Sequence, residues 1–488
     1  MKKAVAILIS VLMLSTFAAF TFASDEQITA DIVGYSDARV EKKDLTNIPS
    51  ITEFISNPET ELTEFKISKP MELKAMGAAS STFGGKTIYL ANDLDMSEIK
   101  NFHPIGGAAA EGSTTPFRGT FDGQGYEIKN LTIDGAGLQN VGLFGNVQRA
   151  TIKNVILGEG CTVLDNTDTV KGNRVGGIVA AISGDKGKST TIDNCWNKAT
   201  VEGGNFVGGI VGFVYVTGDG AWTEEGTKVP SGTAAANAKE TTHYVKNCTN
   251  TGAITATGRD AGGIAGLSQV GFEVTNCRNA GTITSVGEKA SRGSGGIIGR
   301  VSGVEATITG CINNGAVNPG KDSGGGILGC AGITGIKISD CKNFGAITAS
   351  TSEGSVTGAI FGVEKTDNSS FVTEEGNSGT TSASEDPSLE IALKADTLIE
   401  GVPMENPGEN TEDTSNTTGT TENTAPATEK PSESSGTSPS TTAEANENTT
   451  EGTDNESGCK SSAGVGIAVI GIVTAFAAIF GKRRKNRE

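Results

Sequence analysis

Between residues 140 and 365 the hydrophobic positions fall in short runs, each closed by glycine or asparagine, with no helical periodicity sustained over ten residues. The runs recur. Gly142-Leu143-Phe144-Gly145 is followed by Gly209-Ile210-Val211-Gly212, Gly263-Ile264-Ala265-Gly266, Gly296-Ile297-Ile298-Gly299 and Gly326-Ile327-Leu328-Gly329. Looser copies stand at Gly177-Ile178-Val179-Ala180 and Ala359-Ile360-Phe361-Gly362. Counted from 142, 177, 209, 263, 296, 326 and 359, the steps are 35, 32, 54, 33, 30 and 33 residues. Residues 214–243 account for the long step as an insertion.

A second element lies between the first ones. Ile192-Asp193-Asn194-Cys195-Trp196-Asn197 returns as Val245-Lys246-Asn247-Cys248-Thr249-Asn250, with further copies centred on Cys277, Cys311 and Cys341. Asparagine follows each cysteine by two, at Asn197, Asn250, Asn279, Asn313 and Asn343. Two residues later stand Ala199, Gly252, Gly281, Gly315 and Gly345. Leu131 and Val155 occupy the cysteine position in earlier, degenerate copies. A unit of about 30 residues thus predicts three short strands, which cannot bury their own apolar face. Stacking units about 4.8 Å apart closes a continuous core, so the pattern predicts an all-β solenoid of parallel coils. Glycine and asparagine suit the corners, asparagine because it tolerates left-handed backbone, and a repeated asparagine would stack into a hydrogen-bonded ladder.

The cysteines fit the same register. Eight cysteines in an exported chain would suggest disulfides, yet five share one repeat position with Leu131 and Val155, so they read as small buried hydrophobes with free thiols. Cys161, Cys330 and Cys459 fall outside that register.

The ends set the context. Lys2 and Lys3, the apolar run Ala4 to Phe20 and the small residues of Thr21-Phe22-Ala23 predict a signal peptide over 1–23, cut before Ser24. Residues 24–69 form an N-terminal extension, and Pro70 to Ser80 reads as a helix capping a β-helix that spans 70–371. A C-terminal edge segment, 372–396, precedes a stalk. Residues 397–458 hold 13 acidic residues, one lysine and no aromatic residue, a composition that cannot bury a core. As a flexible coil its typical span is about 45 Å. Residues 463–480 are uncharged, long enough at ~1.5 Å per residue to cross a bilayer core, and 481–488 are basic. This predicts a membrane partner, a cytoplasmic tail and display of the remainder outside the cell.

Composition narrows the function. The chain has 68 Gly, two Trp, two His and a net charge of −18. No basic patch exists to neutralise phosphates, which argues against nucleic acid.

Phe102-His103-Pro104-Ile105-Gly106, the run Phe117-Arg118-Gly119-Thr120-Phe121-Asp122-Gly123-Gln124-Gly125-Tyr126, and Ile128-Lys129-Asn130-Leu131 leading to Val141-Gly142-Leu143-Phe144-Gly145 together resemble bacterial surface proteins carrying GLUG repeats. The resemblance covers roughly 70–365. It implies a right-handed parallel β-helix and display on a bacterial surface; such repeats also occur in IgA1-protease-like and adhesin-like proteins. The tail resembles a Gram-positive sorting tail but has Glu456-Ser457-Gly458-Cys459 in place of an LPXTG-type site.

A β-helix can also carry glycan lyases and hydrolases, which need clustered carboxylates, or basic residues beside calcium. Asp122, Asp193 and Asp340 are the candidates, each at a turn that explains it structurally. His103 and His243 have no evident partner, and no His-Glu-x-x-His motif, P-loop or cofactor motif occurs, so no catalytic residue, metal or cofactor is expected. Recognition is left to the insertion and to exposed aromatics. Tyr215 and Trp222 lie in the insertion, and Trp196 occupies the variable position after Cys195, expected to point outward. These three are the candidate ligand-binding residues, for a glycan or an extracellular protein.

Overall fold

The computed structural model describes residues 32–389 apart from 108–114, 136, 166–172, 185–186, 217–219, 223–227, 231–238, 288–292, 354, 363–368 and 387. The expected signal peptide, the stalk, the membrane span and Cys459 lie outside the described residues. Among the described residues no helix is long and apolar enough to cross a membrane.

The repeat folds as a right-handed β-solenoid. One sheet of ten parallel strands runs from Glu64–Ile67 and Thr87–Leu90, through Thr191–Asp193 and Thr242–Lys246, to Val372–Glu375. A second, of nine, runs from Leu94–Asp95 through Trp196–Asn197 and Arg278–Asn279 to Ser378–Gly379. A third passes through Thr200–Gly208 and Ile254–Gly262, and a fourth stacks Phe144–Val147, Val179–Gly184, Val211–Val216, Ala265–Ser268, Ile298–Val301 and Leu328–Ala331. The expected all-β parallel solenoid is therefore present. Its first strand, Glu64–Ile67, lies in the stretch expected as an N-terminal extension, and the sheets continue through 372–379.

The N-terminal end is closed by two helices, Ile51–Ser56 and Pro70–Ala78. Ile51, Phe54, Leu73 and Met76 enter the core. Glu72 fastens the second helix, accepting from the Ser68 and Lys69 amides at 2.7 and 3.1 Å and from the Ser50 hydroxyl at 2.8 Å. Rings fill the first coils in sequence: Phe65 and Phe83 pack on Phe54, Phe83 on Phe117, and Phe117 and Phe121 on Phe144, with centroids 5.2–5.7 Å apart.

In the regular coils the core is made by Ile, Val and cysteine. Leu131, Val155, Cys195, Cys248, Cys277, Cys311 and Cys341 are all fully buried in one inward position. All seven described cysteines are free thiols. Cys161 packs beneath Leu131, whose amide donates to its Sγ at 3.3 Å, and burial pushes its thiol up to about 11. Cys330 is buried on the opposite face, in register with Arg300.

The asparagine ladder forms as expected. Asn197, Asn250, Asn279 and Asn313 each donate Nδ2 to the next asparagine's Oδ1, at 2.8, 2.8, 2.8 and 2.7 Å, and Asn343 ends the run on the Thr380 carbonyl. Each Nδ2 also donates to the carbonyl two residues on, from Ala199 to Gly345. The left-handed corner is elsewhere. It falls on the residue before each cysteine position: Asn130, Asn154, Asn194, Asn247, Asn276, Gly310 and Asp340 all have φ of 51–63°. The earlier asparagine or glycine, rather than the ladder asparagine, is thus the one selected for its backbone.

The glycine motif and the ladder meet inside the coil. A Cβ on Gly209, Gly263, Gly296 or Gly326 would stand 2.2–2.4 Å from the Cγ of Asn250, Asn279, Asn313 or Asn343. The glycine before each, such as Gly262, would place a Cβ 2.0 Å from the carbonyl three residues on, here Ala265. Asn279→Ala should cost about 2–3 kcal/mol, since several buried groups lose their partner. Gly263→Ala should cost about 1–3 kcal/mol by overpacking. The double variant should lose somewhat less than the sum, because removing the amide frees the space both side chains claim but leaves the Gly296 carbonyl 2.2 Å from the new Cβ. Strictly additive losses in urea unfolding would refute the contact.

Candidate functional site

The outward position of the second sheet makes a column: Glu127, Ile156, Trp196, Thr249, Arg278, Ile312 and Lys342 are register partners in turn. Trp196 therefore points away from the core, as expected. It is not exposed, however: it is only 6% accessible. Residues 33–40 return along the solenoid's flank and cover it. The Tyr35 ring packs on Trp196 with centroids 5.5 Å apart, and Ile156 completes the cluster. Trp196 Nε1 donates to Thr251 Oγ1 at 3.1 Å, and Lys198 Nζ lies 4.3 Å from the indole centroid.

The covering strap is read by side chains across several coils. The Gly34 amide donates to the Asn276 carbonyl at 2.8 Å, and the Tyr35 amide to Thr249 Oγ1 at 2.7 Å. Asn194 grips Ser36 twice, accepting from its amide at 2.9 Å and donating to its carbonyl at 3.0 Å. Farther along, the Lys43 amide donates to Gln124 Oε1 at 2.7 Å. Gly34 has φ of +103°, and a Cβ there would stand 2.3 Å from Thr249 Oγ1, so glycine alone fits. Tyr35 and Ser36 were not legible as site residues; only their place in a Gly-aromatic stretch of the extension hinted at a contact.

On another flank the insertion departs from Val211–Val216. Tyr215, half-buried, stacks on Phe213 at 5.3 Å and 8°, and Phe213 on Phe206 at 4.9 Å and 21°. The Arg174 guanidinium lies 4.5 Å from the Tyr215 centroid and 5.3 Å from that of Phe213. Arg259 lies 5.1 Å from that of Phe206. This alternation of cations and ring faces was missed in the sequence, because its members come from three coils. Beyond it, Gly220–Trp222 pairs antiparallel with Lys228–Pro230, a hairpin unlike the parallel repeat. Trp222 lies in that hairpin; its side chain is outside the described residues.

The structure thus keeps the three aromatic candidates apart in kind. Trp196 sits beneath the strap, Tyr215 belongs to the arginine-aromatic stack, and Trp222 belongs to the hairpin. The carboxylate candidates fall into a different pattern. Asp122, Lys153, Asp193 and Lys246 are successive register partners on the first sheet. Lys153 pairs with Asp122 at 3.1 Å and Lys246 with Asp193 at 3.2 Å, so lysines separate the acids. Asp122 also accepts from Asn154 Nδ2 and the Gln124 amide at 2.9 and 3.0 Å. Asp340 occupies a left-handed corner, its amide donating to the Glu375 carbonyl at 2.9 Å.

His103 is exposed, whereas His243 is fully buried, and its Nδ1 accepts from the Thr190 amide at 3.0 Å. Burial drives its pKa down to about 4.

No model of a known family matches the chain, so the GLUG-repeat resemblance has no family match behind it. Over 157 residues the chain is 32% identical to Halomucin of Haloquadratum walsbyi (strain DSM 16790 / HBSQ001), covering 30% of this chain and 2% of that protein. The chain therefore spans a very small part of that relative's length. The fold is similar to the crystal structure of a "putative immunoglobulin A1 protease" from Bacteroides ovatus, at 20% identity and a TM-score of 0.45, covering 62% of this chain and 84% of that one.

The buried histidine generates a pH prediction. Its folded pKa of about 4 lies below its unfolded value of 6.5, so between these the unfolded chain binds the extra proton. The His243 contribution is fully present above pH ~6.5 and lost as pH falls to ~4, by roughly 3 kcal/mol in all. His243→Asn, whose oxygen can still accept from Thr190, should flatten that part of the stability-pH curve. An unchanged difference in urea midpoints between pH 7 and pH 4 would show that His243 is not the titrating group.

Proposed function

We propose that the chain is a noncatalytic cell-surface adhesin or interaction module, exported by its first 23 residues. In this reading it is carried on the acidic stretch 397–458 and held by the apolar span 463–480. It binds a glycan or an extracellular protein through the flank where the insertion leaves the solenoid. The observation that carries the reading is the antiparallel hairpin Gly220–Trp222 and Lys228–Pro230, which breaks the parallel repeat beside Tyr215 and the arginine-aromatic stack. Solenoid coils are near-identical, so a coil that differs is the natural place for recognition. Ring faces beside guanidinium groups suit sugar rings or a protein's planar side chains.

The alternation of Asp122, Lys153, Asp193 and Lys246 supports the noncatalytic half of the reading. Glycan hydrolysis by paired carboxylates needs two acids across one bond, about 5–10 Å apart, with one held protonated. Acids each neutralised by a lysine are poorly prepared for that role. The segmental likeness to Halomucin is in keeping with the proposal.

The test is a glycan and matrix-protein binding array, paired with a polysaccharide depolymerisation panel. Saturable binding without turnover is expected. Trp222→Ala and Tyr215→Ala should each weaken that binding at least about tenfold, the size of an anchoring aromatic. Depolymerisation of any panel member would replace the proposal with a glycan-active β-helix enzyme. Binding untouched by both substitutions would move the site away from the insertion.

A further inference from the structure

Arg278 stands at the outward position of its coil, where other coils carry Thr249, Ile312 or Lys342. It is nevertheless only 1% exposed. Its Nε donates to the Val33 carbonyl at 3.1 Å, at the start of the strap that covers Trp196. Its Nη1 donates to Asp386 Oδ2 at 2.6 Å and to Asn314 Oδ1 at 2.8 Å, and its Nη2 to Ser388 Oγ at 2.9 Å. One guanidinium therefore holds two segments from opposite ends of the sequence, 245 and 108 positions away.

Neither segment is part of the stacked sheets at that point. The strap is gripped by Asn194, Thr249 and the Asn276 carbonyl rather than by a strand ladder. The C-terminal segment is anchored by the Ser384 amide on the Phe344 carbonyl at 2.9 Å, and by Asn314 Nδ2 on Asp386 at 2.8 Å. Both can leave without breaking a sheet.

We propose that Arg278 is the shared fastening of a two-ended clasp, so that the N-terminal strap, which covers Ile156 and Trp196, and the C-terminal segment on Arg278 and Asn314 open and close as one unit. The coupling follows from the cost of a buried charge. A guanidinium deprived of Asp386 inside the protein is strongly disfavoured and regains water by swinging outward. That swing withdraws its bond from Val33 and loosens the strap. In the other direction, expelling the strap exposes Arg278 to water and weakens its hold on Asp386 and Ser388. Coupling of this kind is reciprocal.

The experiment uses the full chain with Trp222→Phe, which leaves Trp196 as the one tryptophan. Asp386→Ala should shift Trp196 emission to the red and make it more accessible to acrylamide. It should also speed hydrogen exchange at the Tyr35 and Ser36 amides at least about tenfold, the effect of losing a charge-assisted hydrogen bond. Exchange at Val274 and Ile308, in the solenoid core, should be unchanged. Gly34→Ala, which forces a Cβ against Thr249, should conversely speed exchange at Ser388 and Leu389 by a similar factor. Arg278→Ala should release both ends. If Asp386→Ala leaves the strap and Trp196 as they were, or Gly34→Ala leaves 388–389 as they were, the ends are independent and the proposal fails. The single substitutions at Asp386 and Gly34 decide the matter even if the Arg278 variant does not fold.

Discussion

The regular coils depend on one contact across their interior, that of the asparagine ladder with the glycine column. An amide buried in an apolar core is costly unless each of its donors and acceptors is used. The ladder meets that condition only if the coils stack in register, since each Asn Nδ2 serves both its own turn and the neighbouring rung. Space for the amides exists only because glycine stands opposite; a methyl group there would overlap the asparagine Cγ. Register, coil shape and the two motifs of the sequence are thus consequences of a single packing problem. The cysteines fill a separate inward column.

That interior is repetitive, and the outer flanks are where the molecule differs from coil to coil. The strap, the arginine-aromatic stack and the lysine-aspartate column each occupy one flank, and none repeats along the whole solenoid. The Lys246–Asp193 pair is largely solvated and contributes little to stability, whereas Asp122 is buried and held by Asn154 and the Gln124 amide as well as by Lys153. The effect of both pairs is on the field at that face, where acids and bases cancel. The Trp196 and Tyr215 flanks, by contrast, place ring faces beside cations, an arrangement that holds its geometry and favours planar partners.

Much of this architecture was legible in the sequence, because a repeat exposes its own register. The positions of Cys195 to Cys341 identified an inward column, and Asn197 to Asn343 identified a ladder, before any coordinates. What the periodicity could not reveal was contact between residues from different phases of the repeat. Gly263 and Asn279 meet through the core, and no local pattern announces it. Asparagine was expected at left-handed corners, but which of the two recurring asparagines takes that backbone was not legible, since both recur with the same spacing. Trp196 was read correctly as outward and wrongly as exposed. Its cover, Tyr35, lies outside the repeat altogether, and only folding brings it back. Arg278 was legible as a variable position, but its partners Val33 and Asp386 come from segments that carry no repeat signal.

The place at which Asp386 and Ser388 are held has a mechanical side. Three strands of the second sheet lie beyond Arg278: Ile312–Asn313, Lys342–Asn343 and Ser378–Gly379. A pull on the chain after Ser388 therefore enters the solenoid from its side, at an inner coil. It does not start at the free edge, where Val372–Glu375 could be unzipped one hydrogen bond at a time. Tension delivered there is borne first by the bonds of Arg278, Asn314 and the Phe344 carbonyl to the segment. The last coil is thereby spared the load for as long as Arg278 keeps its hold, and takes it up only once the segment has come away.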